Sequence, residues 1–169
     1  MKVILEIKLK SKNDLIYETK LLRDKLLIQE KDEKTVTKKS LSVVTKKKPT
    51  TKQFDDMLFA FKIARYVKSN SIVFVKNNKT LAIGAGQMSR IDSTNLAFNK
   101  SKKERISLKG SVMASEAFFP FRDNVDLAKK IGVSAIIQPG GSLNDNKIID
   151  VADKHKLAMC FSHTRVFKH

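Results

Sequence analysis

The sequence predicts an α/β fold, a mainly parallel sheet with helices on both faces. Three observations carry that expectation. Short apolar runs rich in β-branched residues recur at Ser71 to Val75, Ser111 to Ala114, Val133 to Ile137 and Ala158 to Phe161. Between them lie segments whose apolar residues return at helical spacing, and such alternation builds parallel strands through right-handed crossovers. Polar loops with Gly or Pro divide the two kinds of segment, and 169 residues suffice for one real core.

From the amino end, Lys2 to Lys10 alternates apolar and polar residues well enough for a strand. A charged, irregular connection leads to a second short apolar run, Leu26-Leu-Ile-Gln29, and a lysine-rich stretch to Lys48 reads as a linker or exposed strand pair. Two short strands without a covering helix bury too little to stand alone. Residues 1–48 are therefore expected to be the end of a preceding unit plus a linker, and residues 49–169 the compact unit.

After Pro49, Thr50 or Thr51 can cap a helix in which Phe54, Met57, Leu58, Phe61, Ala64 and Val67 share a face, ending near Ser69-Asn70. Strands at Ser71 to Val75 and Thr80 to Ile83 flank Asn77-Asn78 and predict a hairpin. Gly84-Ala-Gly86 then opens a helix running through Arg90 to about Lys100. Strand Ser111 to Ala114 meets the stretch Glu116-Ala-Phe-Phe-Pro-Phe-Arg-Asp-Asn-Val-Asp126, in which Pro120 biases Phe119 toward extended geometry and Asp123 reads as the N-cap of a helix to Ile131. Strand Val133 to Ile137, helix Leu143 to His155 and strand Ala158 to Phe161 complete the order.

The chain carries 34 Lys and Arg against 17 Asp and Glu, a net charge of +17. The positives are spread out, nearly all lysine, and come without interleaved aromatics or a nucleic-acid motif. A general lysine bias accounts for them as well as a phosphate track does, which argues against a nucleic-acid partner. The single Cys160 sits in an apolar run and reads as a buried thiol. One cysteine permits no disulfide within the chain, which fits a reducing compartment. There is no signal peptide and no apolar run long enough to span a membrane, so the expectation is a soluble, cytoplasmic protein.

Three polar loops fall at strand ends: Gly84 to Arg90, the phenylalanine-rich junction, and Gln138-Pro-Gly-Gly-Ser142. Each leads to a helix amino end, where free N–H groups favour anions, and three such loops on one sheet edge predict a site. Arg90 and Arg165 are the natural anion ligands, because a guanidinium offers paired donors. His155, His163 and His169 lack ligand spacing, and the His-x-Glu with Cys-x-x-Cys pattern of zinc deaminases is not present.

These residues carry a resemblance. Lys68-Ser-Asn-Ser71, Ile83-Gly-Ala-Gly-Gln-Met-Ser-Arg-Ile91, the Glu116 to Asp126 stretch, Ile137-Gln-Pro-Gly-Gly-Ser142 and Arg165-Val-Phe-Lys-His169 resemble the carboxyl-terminal part of the bifunctional purine biosynthesis enzymes. That family joins an aminoimidazole carboxamide ribonucleotide formyltransferase to an inosine monophosphate cyclohydrolase. The resemblance is nearly continuous from Pro49 to His169 and weaker from Lys2 to Gln29. It implies a zinc-free, cytidine deaminase-like unit, with 10-formyltetrahydrofolate as cosubstrate and a homodimer whose sites are built across the subunit interface.

By position in those motifs, the resemblance implies that Asn70 and Arg90 hold the nucleotide's carboxamide and amine, helped by the backbone at Phe118, and that Arg165 takes its phosphate. Ile91, Phe118, Asp123, Ser142 and Leu143 would line the folate site, and His169 would end close to the reacting atoms. A monovalent cation, potassium, would sit on carbonyls near the Ser69 to Ser71 turn and at the residue matched by Glu116, where the family usually has Asp. The family's catalytic Lys-His motif is not found here; Lys154-His155 and Lys168-His169 stand in other contexts. The sequence therefore reads as an incomplete formyltransferase, inactive alone and lacking the cyclohydrolase domain. The alternative is a non-enzymatic nucleotide or nucleic-acid binding module; a deaminase is a third reading on fold grounds, which zinc analysis would decide.

Overall fold

The computed structural model of the protein describes residues 17–30 and 34–167. The strand expected over Lys2 to Lys10, and His169, lie outside the described residues. The chain divides into two units, one ending at Thr35 and one beginning at Val36. The expected boundary at 48/49 thus moves toward the amino end.

The first unit contains an antiparallel pair, β1 (Tyr17–Leu22) and β2 (Lys25–Glu30), in register from Tyr17 opposite Glu30 to Leu22 opposite Lys25. The expected irregular connection before Leu26 is therefore a strand. Glu18 and Lys20 interrupt the apolar run only on one face of the pleat, and this period-two pattern was hidden by their charge.

In the second unit, residues 36–48 form part of the folded body. A short 3-10 turn (Lys38–Ser40) leads to β3 (Ser42–Val43), which pairs with the last strand, and the buried Thr45 hydroxyl accepts from the Met159 N–H at 2.8 Å. Helix α1 (Thr51–Ala64) starts at Thr50, whose hydroxyl accepts from the Gln53 N–H while the Gln53 side chain accepts from the Thr50 N–H, a reciprocal capping box. It stops at Ala64, short of the expected end at Ser69-Asn70. Strands β4 (Ile72–Lys76) and β5 (Lys79–Gly84) form the hairpin, with Asn77 and Asn78 both at positive φ. The buried Asp56 carboxylate of α1 accepts from both of their N–H groups.

The order continues with α2 (Arg90–Lys103), β6 (Val112–Ser115), α3 (Asp123–Ile131), β7 (Ala135–Gln138), α4 (Asp145–Lys154) and β8 (Ala158–Phe161). Asp123 is the first residue of α3, while Arg122 holds the cap position without a side-chain bond to the helix's free N–H groups. Asp123 was expected as the cap; its carboxylate instead accepts from the adjacent Asn124 N–H.

The six strands pair in the order β3-β8-β7-β6-β4-β5. The sheet is mixed, which corrects the mainly parallel expectation: β6–β7 and β7–β8 are parallel, whereas β3–β8, β4–β5 and β4–β6 are antiparallel. Parallel neighbours need a crossover, and α3 and α4 supply one each. The crossover through α2 returns β6 beside β4 and not beside β5, so it creates no parallel pair.

Side chains alternate between the two faces, as pleating requires. Val73, Val75, Val112, Ala114, Ile137 and Cys160 meet Met57, Ala60, Phe61 and Ala64 of α1. On the other face Ile72, Phe74, Met113, Ile136 and Met159 pack under Ala97 of α2, Val125 and Ala128 of α3, and Ile148 and Val151 of α4. Each large side chain buried this way contributes about 1.5–3 kcal/mol, so the sheet edge that carries the loops rests on a rigid two-sided core.

Candidate functional site

Strand register gathers the loops. Ile72 lies opposite both Gly84 and Ser115, Ala114 opposite Ile137, and Gln138 opposite Phe161. The start of β4 and the ends of β5, β6, β7 and β8 therefore reach one edge of the sheet. Open α/β sheets bind ligands at such carboxyl ends. The Ser69 to Ser71 turn, the Gly84 to Arg90 loop, the phenylalanine-rich junction, the Gln138 to Ser142 loop and the Ser162 to Arg165 tail all leave there.

Asn70 is held from two sides: its side-chain amide donates to the Gln87 carbonyl at 2.9 Å, and the Ser93 hydroxyl donates to the Asn70 carbonyl at 2.7 Å. Arg90 opens α2 behind the Ser89 cap, and its terminal nitrogen lies 3.5 Å from the Glu116 carboxylate. Glu116 is fully buried and accepts from the hydroxyls of Ser69 at 2.9 Å and Ser71 at 3.2 Å. Its carbonyl accepts from the Val166 N–H, which fixes the tail that carries Arg165. The Arg165 guanidinium lies over the Phe118 ring, 4.8 Å from the centroid.

Burial lowers the pKa of Arg90, Glu116 draws it back up, and Arg165 lowers it further. A guanidinium stays charged throughout the working range even so. Its Nε is buried and has no hydrogen-bond acceptor. A buried donor left unpaired costs about 1–3 kcal/mol.

Asn70, Arg90, Phe118 and Arg165 are linked through their neighbours: Asn70 lies between Ser69 and Ser71, whose hydroxyls meet Glu116 together with Arg90, and Arg165, which stands over the Phe118 ring, also acts on Arg90 as a like charge. Ile91 and Asp123 are half-buried at the starts of α2 and α3. Ser142 and Leu143 lie in the turn before α4, Leu143 fully exposed, and that turn is tied to the aromatic corner because the Asn144 amide donates to the Pro120 carbonyl at 2.9 Å. A cleft of about 510 Å³ adjoins this corner, lined by Phe121, Arg122, Asn144 and the Lys147 to Lys154 face of α4, and contains none of the four principal residues.

Three supporting residues escaped the sequence reading. Gln87 and Ser93 hold Asn70, and buried Gln138 accepts from the Phe119 N–H at 2.9 Å, which fixes the aromatic corner. The available signal was a glutamine at the end of an otherwise apolar strand. Among the described residues no cluster of three or more His, Cys, Asp or Glu is placed to hold a metal ion, and no helix is long and apolar enough to cross a membrane.

A sequence profile described as the AICARFT/IMPCHase bienzyme matches residues 2–100. The chain belongs to that family. It is 52% identical over 144 residues to the bifunctional purine biosynthesis protein PurH of Chlorobium phaeobacteroides, covering 85% of this chain and 28% of the relative. The PurH of Wigglesworthia glossinidia brevipalpis is 47% identical over 167 residues, 99% of this chain and 31% of the relative. The chain thus spans less than a third of the length of these curated relatives. Among solved structures, a dCMP deaminase from cyanophage S-TIM5 is similar with a TM-score of 0.43 at 16% identity, covering 59% of this chain and 91% of that one. A diaminohydroxyphosphoribosylaminopyrimidine deaminase and reductase from Thermotoga maritima gives 0.40 at 16%, covering 59% and 33%.

Proposed function

We propose that this chain carries the substrate-binding part of an aminoimidazole carboxamide ribonucleotide formyltransferase acting in purine biosynthesis, with 10-formyltetrahydrofolate as formyl donor. Membership of the bienzyme family supports the reaction class. The observation that carries the assignment to this site is the linked set of Asn70, Arg90, Phe118 and Arg165, joined through the buried Glu116 and through the contact of Arg165 with the Phe118 ring. A carboxamide oxygen accepts from the Arg90 guanidinium, the Asn70 side-chain oxygen accepts from the amide N–H, and Arg165 meets a phosphate with two parallel hydrogen bonds. Ile91, Phe118, Asp123, Ser142 and Leu143 form the folate side.

An arylamine conjugated to a carboxamide is a weak nucleophile. The residues present orient the amide so that the amine faces the formyl carbon, and the amine proton must leave as the tetrahedral centre forms. Neither Asn70 nor Arg90 is a base at neutral pH. His155 is paired with Asp126 at 2.7 Å and His163 with the Ser42 hydroxyl at 2.8 Å. The acceptor is supplied by a Lys-His pair from the family's upstream region, in a cytoplasmic homodimer with sites across the interface, on a deaminase-like lobe used without zinc.

Titration of the chain with the nucleotide, followed by calorimetry, tests this. Saturable binding is expected, weakened about 10- to 100-fold by Arg90→Ala as one charge-assisted hydrogen-bond set is lost. Arg165→Ala is expected to weaken the nucleotide but not the dephosphorylated nucleoside. Equal affinity for any polyanion, falling steeply with salt, would instead establish the lysine-driven binding reading.

A further inference from the structure

The resemblance implies a monovalent cation on the turn that carries Asn70, and the residues present do not fit one. Glu116 is fully buried, and its two oxygens are shared among the Ser69 hydroxyl at 2.9 Å, the Ser71 hydroxyl at 3.2 Å and the Arg90 guanidinium at 3.5 Å. Both hydroxyls give their hydrogens to the carboxylate. An ion shared by the two hydroxyls and the carboxylate would need the hydroxyl lone pairs turned inward and the oxygens held farther apart than oxygens sharing a proton, and the neighbouring carbonyls already accept, Asn70 from the Ser93 hydroxyl and Glu116 from the Val166 N–H. Charge points the same way. Glu116 already faces the cationic Arg90, and Arg165 acts on Arg90 as a second positive charge. A third positive charge beside a balanced buried pair pays desolvation without a free counter-charge.

We propose that the Glu116 carboxylate takes the place of the cation and is the positioning residue of this site, joining the Ser69 to Ser71 turn to Arg90 so that Asn70 and Arg90 face the same substrate amide. The site works without a bound monovalent ion. Side-chain length is the reason. Shortening Glu116 to Asp withdraws the carboxylate by about 1.5 Å, one carbon–carbon bond. The withdrawn group no longer reaches both hydroxyls, and the gap between Ser69, Ser71 and the carboxylate is lined with oxygens that suit a potassium ion. Glu116 thus does with one more methylene what a shorter acid does with an ion.

The nucleotide part of the test rests on the functional reading above; the thermal part does not. Unfolding temperature and nucleotide affinity are measured in equal concentrations of potassium, sodium and choline chloride, for the unaltered chain and for Glu116→Asp. The unaltered chain is expected to give one melting temperature in all three salts and dissociation constants within about twofold. Glu116→Asp is expected to melt about 3 °C or more lower in choline chloride and to recover in potassium chloride. Its nucleotide dissociation constant should rise at least about tenfold in choline and return in potassium. Stabilisation of the unaltered chain by potassium over both other salts overturns the proposal, and so does a Glu116→Asp chain indifferent to the cation. If that variant does not fold in any salt, the unaltered chain's response decides alone. A chain that binds no nucleotide in any salt sinks the functional reading, while the melting curves still report on the ion.

Discussion

Replacing Gly84 by alanine perturbs both fold and site through one atom. A Cβ built at Gly84 stands 1.8 Å from the Ser93 carbonyl oxygen and 2.9 Å from the Ser93 Cα, both backbone of α2. No rotamer relieves that overlap, and the separation must grow by more than an ångström before ordinary contact is reached. Helix α2 must therefore move off β5. Overpacking in well-ordered cores costs about 1–3 kcal/mol, and contact with unyielding backbone places this substitution at the upper end, about 3 kcal/mol. The movement also withdraws Ser93 from the Asn70 carbonyl, Thr94 from its buried 2.7 Å bond to Asn124, and Arg90 from Glu116. Misplacement of that size costs about 100-fold in a positioned site. Urea unfolding reads the first effect and nucleotide titration the second. A Gly84→Ala chain with unchanged urea midpoint and affinity would refute both the packing of α2 on β5 and its role in aiming Arg90.

Asp56→Ala removes a buried carboxylate that accepts from the Asn77 and Asn78 N–H groups; urea unfolding should show a loss of about 3 kcal/mol, since bonds to a charged group are worth about 1.5–3 each and do not add fully. The Asp126 carboxyl is drawn down from 3.8 to about 2 chiefly by its hydrogen bond to Arg122, opposed by desolvation, with His155 adding to the lowering. Because its folded pKa is depressed, its stabilisation is present above pH 4 and is lost as pH falls toward 2. Asp126→Asn should lose less stability than the unaltered chain across that window, by under about 1 kcal/mol, because the pair is exposed and screened. Burial pushes the Cys160 thiol up to about 11, so thiol-reactive disulfide reagents at pH 8 should leave the native chain unlabelled and label it after addition of urea; fast native labelling would contradict the buried position in β8.

Much of the second unit could be read from local pattern. The capping box at Thr50 needs only residues within one turn, and β8 was delimited by its apolar run. The Asn77-Asn78 turn likewise follows from two residues that tolerate positive φ. Strand pairing was harder, because a helix between two strands does not state beside which strand the chain will return. The extent of residues 36–48 was misread for a related reason: Thr45 and β3 are polar and lysine-flanked, and their place depends on an edge of β8 more than a hundred residues away. At the site, motif order pointed to Asn70, Arg90, Phe118 and Arg165, but Gln87, Ser93 and Gln138 act through backbone groups that no motif names.

The linear sequence by itself determined the family, the helix and strand types of residues 49–161, and the residue types available for binding an amide and a phosphate. These follow from local propensity, periodicity and the spelling of five short motifs. Tertiary structure alone decided the mixed pairing of the sheet, the burial of Glu116 against Ser69, Ser71 and Arg90, and the placing of Arg165 over the Phe118 ring. The physical reason is range. Capping and pleating act over a few residues, whereas desolvation and charge pairing depend on which distant segments exclude water from the same volume.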